Sequence, residues 1–439
     1  MGRSVLCESF VEDYLRQLSR KAGVCMGLLI GQPSAGGKDY IVHASRITGQ
    51  DEEESDESQK LNATVASQQA LDATRMLPGG MYVMGIFVIH PKNVFQEQTL
   101  LASVKFILMS MKATFDANPL LMGTCEEFEK SEKLVLYYSS SSKTQLCKTV
   151  SLAAENPTVL PCEWKFVERL TTWHKLNVFF ETDDVYPLKQ TSDQELHDTE
   201  TSLTKCAKKL KEQLMDAKIL FDGAPKLGAD TVEGVLTMKN QDKFLANVYL
   251  PTPTELSASD AKIEHFEGTL KFDGIVSSQI FIHSRCTFSE AERFIVADIV
   301  RSLMSRIQIH CDSLVQTEDT TQDKITLNEL PRRVYFPVRS QAGFPVQFSD
   351  YLFPEESVET PLGRIREILD IGVTARDLNS KVELVPVVKE DERPTEEAVW
   401  QRPANKEDDF EGKLNIPVVG GLVTVIVLLI ALLVYYLMK

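Results

Sequence analysis

The run MYVMGIFVIH, residues 81–90, decides the fold class, because its ten uncharged residues lie between a Pro-Gly-Gly turn and Pro91. A short apolar run with turn residues on both sides is typical of a buried strand. A similar run, VCMGLLI, occupies residues 24–30. Apolar residues at helical spacing occur over 60–76 and 94–115. Buried strands that alternate with amphipathic helices predict an α/β (α+β) fold.

The remaining periodic segments extend this pattern along the chain. The expected elements are a helix near 5–20, a strand at 40–47, a hairpin of strands at 132–138 and 144–152, a helix at 193–215, strands at 244–250, 268–276 and 278–285, and late strands at 334–338 and 346–348. A long helix is expected to begin at a capping box formed by Ser289 and Glu292. The predicted domains are an α/β unit at 1–152, connecting strands and a helix at 153–225, a second α/β unit at 226–388, an acidic flexible linker at 389–415 and a membrane anchor at 416–438.

The charge balance argues against nucleic-acid binding. The 439 residues include 47 Lys and Arg and 63 Asp and Glu, which gives a formal net charge of −16. Nucleic-acid binding depends on basic surfaces, so we expect no nucleic-acid partner. Acidic residues also outnumber basic ones between 389 and 412, where Pro394 and Pro403 interrupt the chain. This composition predicts the flexible linker.

The segment Val418–Met438 has 21 residues and no charge. At about 1.5 Å per residue a helix of this length matches a hydrocarbon core of about 30 Å. A helix buried in a protein core is the alternative, but such helices are usually shorter or carry charges. The predicted anchor positions are Val418, Leu422, Ile426, Leu429, Leu433 and Tyr436.

Charged residues throughout the first 21 positions exclude a secretory signal peptide there. Together with the apolar segment, this predicts a single-pass tail anchor with the large N-terminal part in the cytosol. The eight cysteines are scattered, and none has the spacing of zinc ligands. That distribution agrees with a cytosolic environment.

The order of elements around Gly27-Leu-Leu-Ile-Gly31 and Gly85-Ile-Phe-Val-Ile-His-Pro91 resembles the MPN fold, which is found in zinc-dependent deubiquitinases and in scaffold subunits. The resemblance assigns Val24 to the catalytic base and Val88 and His90 to two histidine ligands. It assigns the Ser and Asp positions to Gln98 and Leu101. Zinc hydrolases need three ligands and a general base, and only His90 retains its residue type. We therefore predict a degenerate MPN-like unit without catalytic residues, metal or cofactor.

Two other classes of protein compete with this interpretation. An MPN-type metal-dependent isopeptidase would bind stoichiometric zinc. A tail-anchored fusion protein would carry long heptads up to the membrane, whereas residues 389–413 contain acids and prolines.

Motifs spread over most of the chain resemble the odorant-response-abnormal protein four family, the odr-four homologs. They are Met1-Gly-Arg3, Gly27-Leu-Leu-Ile-Gly-Gln32, Lys38-Asp-Tyr40, Arg75-Met-Leu-Pro-Gly-Gly80, Gly85 with Phe87, Trp164-Lys165, Arg333-Val334 with Pro337, and the apolar C-terminal segment. The resemblance implies a non-enzymatic endoplasmic-reticulum membrane protein that helps a subset of seven-helix receptors to leave that membrane. It also implies a partnership with a ubiquitin-fold-modifier-specific protease, which the anchor recruits to the membrane.

Overall fold

The computed structural model describes residues 3–21, 24–47, 62–123, 131–189, 199–236, 243–251, 266–315, 330–339 and 345–383. All of them belong to one compact unit, Met1–Leu384. The predicted linker at 389–415 and the predicted anchor at 416–438 lie outside the described residues, and both stay predictions. Among the helices that are described, none is both long and apolar enough to cross a membrane.

Seven strands form a closed barrel in the order β1-β3-β2-β4-β5-β6-β7, and β7 pairs with β1 to close it. The strands are β1 Arg3–Glu8, β2 Cys25–Gln32, β3 Lys38–Arg46, β4 Tyr82–His90, β5 Glu132–Ser139, β6 Gln145–Ser151 and β7 Thr158–Val167. Every residue of β2 and β4 is buried, which explains why both strands are almost uninterrupted apolar runs. The helices that precede and follow these strands are α1 Ser9–Lys21, α2 Ala63–Met76 and α3 Gln98–Ala117.

The second half of the unit contains a four-stranded sheet in the order β11-β8-β10-β9 and a hairpin of β12 and β13. Its strands are β8 Trp173–Lys189, β9 Lys218–Phe221, β10 Lys243–Tyr249, β11 Phe266–His283, β12 Arg332–Pro337 and β13 Gln347–Leu352. Its helices are α4 Thr199–Met215, α5 Val232–Leu236, α6 Phe288–Val315 and α7 Thr360–Leu369. The mixed α/β class is thus confirmed.

Three predicted elements differ from the structure. Residues 3–8 form β1 rather than the start of the first helix, because they pair with both β3 and β7. The strands expected at 268–276 and 278–285 are the single strand β11, because the long strand β8 pairs with it along its length. The barrel also continues through β7 to Val167, so its last strand lies beyond the predicted boundary at 152.

The capping box of α6 lies two residues earlier than predicted. The side chain of Thr287 accepts a hydrogen bond from the backbone N–H of Glu290 at 3.2 Å. The carboxylate of Glu290 accepts one in return from the backbone N–H of Thr287 at 3.0 Å. This reciprocal arrangement is the capping box expected from sequence, with Thr287 and Glu290 in place of Ser289 and Glu292.

Candidate functional site

The predicted base and histidine positions lie at one end of two neighbouring barrel strands. Val88 and His90 belong to β4, and Val24 directly precedes β2, whose Cys25 pairs with Ile89. This register places Val24 beside His90. The imidazole of His90 forms a hydrogen bond with the adjacent loop, in which its Nδ1 accepts from the backbone N–H of Lys92 at 3.0 Å.

The other two predicted positions, Gln98 and Leu101, occupy the first turn of α3. Gln98 is exposed and Leu101 is half-buried. The side chains of valine and leucine carry no atom that coordinates a metal. Within the described ranges, no three His, Cys, Asp or Glu side chains come together in a way that could hold a metal ion. The absence of a metal and of catalysis stays a prediction.

Helix α3 is apolar on two opposite faces. One face is buried and consists of Val104, Ile107, Leu108, Met111 and Phe115. The other consists of Ala102, Phe106, Met109 and Ala113, all of them exposed, and we call these four residues the α3 stripe. Their spacing of four, three and four residues places them along one line of the helix. The side chain of Phe106 is 66% exposed and that of Met109 is 42% exposed.

An apolar line of this kind differs from scattered surface hydrophobics, which are normal in soluble domains. Contiguous exposed apolar surface marks an interaction site, and a helix that docks in a groove uses anchors at this spacing. The amphipathic helix predicted at 94–115 is therefore present as α3. Some of its apolar residues face the core, and the others form the exposed α3 stripe. The α3 stripe is the candidate docking surface.

A second exposed apolar group lies on the four-stranded sheet. Phe179 is 60% exposed, Leu245 is 45% exposed and Ile275 is 40% exposed. Leu245 pairs with Asn177 and Ile275 pairs with Glu181, so both lie on the same face as Phe179. We call these three residues the sheet patch. It provides a competing surface against which the α3 stripe can be tested.

Between the barrel and the second half lies a buried polar junction, which begins at Gln32 of β2. Its Nε2 donates to the carbonyl of Phe281 at 2.9 Å, and its Oε1 accepts from the N–H of His283 at 3.0 Å. Both partners belong to β11. One amide side chain therefore joins the barrel to the four-stranded sheet.

Asp298 of α6 is the centre of this junction. Its carboxylate accepts hydrogen bonds from the backbone N–H of Gly79 at 2.6 Å, from the hydroxyl of Ser278, and from Arg333. A Cβ atom on Gly79 would lie 2.1 Å from the carbonyl oxygen of Phe294 on α6. Only glycine permits this approach of the loop to the helix. The loop before β4 is therefore fixed by α6.

One turn further along α6, Arg301 is almost completely buried. Its guanidinium donates to the carbonyls of Leu77, Pro78, Met81 and Leu121 at 2.8–3.1 Å. Four backbone carbonyls thus solvate the positive charge of Arg301, which compensates part of the cost of removing it from water.

Burial and pairing set the charge states around this core. Burial lowers the pKa of His43 to about 4, and it lowers the pKa of His283 to about 4 as well. The carboxyl of Asp298 is fully buried, which raises its pKa, but the charge of Arg333 and the hydrogen bonds from Arg333, Ser278 and Gly79 together outweigh burial, and the net shift is downward. Asp298 is therefore ionised and Arg333 balances it.

These contacts involve several of the residues in the sequence motifs. Gln32, Gly79, Gly80 and Arg333 all belong to the motifs that carry the family resemblance, and all four lie at the junction. In the described residues, these four motif residues therefore help to join the two halves of the unit.

A closed barrel, joined by a buried polar junction to a second sheet with its own helices, defines a mixed α/β protein. The chain belongs to the family described as Odorant response abnormal 4-like, whose match covers residues 27–380. Its relatives include Protein odr-4 homolog from Drosophila melanogaster, 25% identical over 440 residues that cover 88% of each chain. The protein of the same name from Mus musculus is 28% identical over 397 residues, which cover 86% of this chain and 85% of the relative.

Among solved structures, UfSP from C. elegans superimposes with a TM-score of 0.41 and 9% sequence identity. The match covers 84% of this chain and 57% of that chain.

Proposed function

We propose that this protein is a non-enzymatic adaptor of the endoplasmic-reticulum membrane, anchored by residues 416–438 with its large N-terminal part in the cytosol. It promotes the trafficking or maturation of a subset of seven-helix receptors. It also recruits a ubiquitin-fold-modifier-specific protease to the membrane. Membership of the Odorant response abnormal 4-like family supports the trafficking role, and the uncharged segment Val418–Met438 supports the anchor.

The observation that carries the adaptor role is the α3 stripe. An adaptor needs a surface that is stable without its partner and still has apolar area to bury on binding. The buried face of α3 packs into the core, and the stripe on the opposite face stays accessible within the described residues. We propose that the recruited protease binds this stripe and that the receptor cargo binds elsewhere.

Co-purification from detergent-solubilised cells tests this assignment. The double substitution Phe106→Glu with Met109→Glu should abolish recovery of the protease, because two carboxylates cannot be desolvated in an apolar groove. Gln17→Glu is the matched control, since Gln17 is exposed on a different helix, α1. It should leave recovery unchanged.

Substitutions in the sheet patch provide the result that would contradict this assignment. If Phe179→Glu with Leu245→Glu abolishes recovery of the protease and the α3 double variant does not, the docking surface is the sheet and the assignment to α3 is wrong. If neither variant reduces recovery in a chain that keeps its fold, the protease does not dock on either apolar surface.

A metal-dependent isopeptidase is the second candidate function. The position of His90 beside Val24 and Val88 argues against it, since one nitrogen ligand does not hold a catalytic zinc ion. Stoichiometric zinc in the purified protein, together with isopeptidase activity that His90→Ala removes, would replace the adaptor with this enzyme.

A further inference from the structure

Cys147 and Cys162 face each other across two neighbouring barrel strands. In the antiparallel pair of β6 and β7, Lys148 lies opposite Pro161. The next step in the same register places Cys147 opposite Cys162. Residues that are directly opposite in such a pair have Cα atoms about 4.5 or 5.5 Å apart. Both values fall in the range of about 4.4–6.8 Å that a disulfide bond requires.

Both cysteines are free thiols, and their sulfurs interact. The hydrogen bond that the Cys147 thiol donates to Cys162 lowers the pKa of Cys162, as do a hydrogen bond with Thr149 and the positive charge of Arg3, and together they outweigh burial, which raises it. Arg3 is near because it lies opposite Cys162 in the pair of β1 and β7. Asp39, which binds the guanidinium of Arg3, acts in the opposite direction. For the Cys147 thiol, burial is the largest cause, and the net shift of its pKa is upward.

The two thiols also differ in access to solvent. The side chain of Cys147 is buried, whereas Cys162 is partly exposed. The more accessible sulfur is thus the one whose surroundings stabilise a thiolate, and the thiolate is the nucleophilic form of cysteine. The thiol of Cys147 is adjacent and can act as the resolving thiol, which is the arrangement found at reversible oxidation sites.

We propose that Cys162 and Cys147 are a peroxide-reactive dithiol that closes to a disulfide bond between β6 and β7. The thiolate of Cys162 attacks one peroxide oxygen, the O–O bond breaks, and the released hydroxide takes up a proton to become water. Cys162 is then a sulfenic acid. The sulfur of Cys147 loses its proton and attacks the sulfur of Cys162, and the S–O bond breaks to release a second water. Two thiols are oxidised by two electrons while hydrogen peroxide is reduced to two waters.

The bond would form beside the seam at which the barrel closes, since β7 is the strand that pairs with β1. It would link β6 covalently to that closing strand. Oxidation therefore restrains the unfolded chain and raises the thermal midpoint of the barrel, whereas reduction reverses the effect. This site is independent of the α3 stripe and of the proposed adaptor role.

Peptide mapping of the detergent-solubilised full chain tests the proposal. After treatment with hydrogen peroxide, the wild-type chain should yield a disulfide-linked pair of peptides containing Cys147 and Cys162, and dithiothreitol should separate them. Cys147→Ser should instead accumulate a sulfenic acid on Cys162 that dimedone traps. Cys162→Ser should leave Cys147 reduced. Cys286→Ser is the matched control, because Cys286 is also buried and should not alter the linked pair.

The wild-type map decides the question even if a variant misfolds. A linked pair between these two residues, and a higher thermal midpoint than that of the reduced chain, support the dithiol. The proposal is overturned if both thiols stay reduced under conditions that oxidise other cysteines, or if Cys162 proceeds to sulfinic acid without a linked peptide.

Discussion

Asp298 of α6 and Arg333 of β12 form a two-point ion pair whose side chains are 0% and 1% exposed. Nη1 of Arg333 lies 2.6 Å from Oδ2 of Asp298, and Nη2 lies 3.1 Å from Oδ1. Because the same carboxylate also accepts a hydrogen bond from the backbone of Gly79, one charge joins the long helix, the late hairpin and the barrel.

Replacing Asp298 by Ala should lower the free energy of unfolding by about 3–5 kcal/mol, because it leaves the guanidinium of Arg333 buried without its counter-charge. Urea denaturation of the purified chain measures this loss. The double variant Asp298→Ala with Arg333→Met removes both charges and should recover part of it. A single variant within about 1 kcal/mol of the wild type would show that water reaches the pair.

His43 should make the protein less stable in mild acid. The Nε2 atom of His43 lies 2.7 Å from the carbonyl oxygen of Leu369, and burial lowers its pKa to about 4. Below about pH 6.5 His43 therefore binds a proton in the unfolded chain, whereas in the folded chain it stays neutral until about pH 4. The contribution of neutral His43 to the free energy of unfolding is complete above about pH 6.5. It falls by about 3 kcal/mol in total as the pH drops toward 4.

Denaturation of the wild type and of His43→Gln at pH 7.5 and at pH 5 separates this effect from others. Glutamine keeps a donor for Leu369 but does not titrate, so the variant should lose less stability between the two pH values. Equal losses in the two proteins would assign the acid sensitivity to other groups, such as His283.

Gly79→Ala should destabilise the junction, because the added methyl group would meet the backbone of Phe294. Overpacking of this kind costs about 1–3 kcal/mol or more. Gly36→Ala is the matched control, since the nearest atom to its new methyl group would be the hydroxyl of Ser34 at 3.5 Å. Thermal denaturation should show a lower midpoint for the first variant and little change for the second. A neutral Gly79→Ala would mean that α6 can move away from the loop.

His90→Ala should leave recruitment of the partner protease intact. The substitution removes the acceptor for the backbone N–H of Lys92, which costs about 0.5–1.5 kcal/mol of stability. Co-purification and zinc analysis of the variant and the wild type measure both consequences. Loss of the protease from a stably folded variant would assign His90 a part in docking.

Leu428→Arg should impair membrane insertion of the predicted anchor. A central arginine costs about 2.5–3.5 kcal/mol on insertion scales, whereas a leucine contributes about −0.3 to −0.6 kcal/mol. Carbonate extraction of microsomes should release part of this variant and all of a chain that lacks residues 416–439. Retention of the truncated chain on the membrane would reveal a second membrane contact. Protease protection of the N-terminal part in intact microsomes would reverse the proposed topology.

The barrel strands that were predicted well have a purely local signal. Strands β2 and β4 are buried on both faces, so their apolar runs stand out between turn residues. Strand β7 was predicted only as one of the connecting strands at 153–225, without bounds, because it is exposed or half-buried and contains Pro161. It is a strand because β6 pairs with it across a short connection and β1 pairs with it across more than a hundred residues. The second pairing leaves no periodic trace in the sequence.

The candidate sites show the same limit. The periodicity of α3 predicted an amphipathic helix, but it did not show which apolar residues are buried. The packing of the structure leaves Phe106 and Met109 exposed. The cysteine spacing suggested no pair, because Cys147 and Cys162 meet only through the register of two strands. By contrast, the residue types alone showed that Val24 cannot act as a base and that Val88 cannot bind a metal.

The junction has a consequence for the order of events during synthesis. The backbone N–H of Gly79 finds its partner 219 residues later in the chain, and Gln32 donates to a carbonyl 249 residues away. At about 5–20 residues per second, the ribosome makes the complementary segments many seconds after the barrel strands have left the exit tunnel. Through that interval Gly79 lacks its partner on α6 and Gln32 lacks its partners on β11. We therefore expect the nascent chain to depend on chaperones until α6 has been translated.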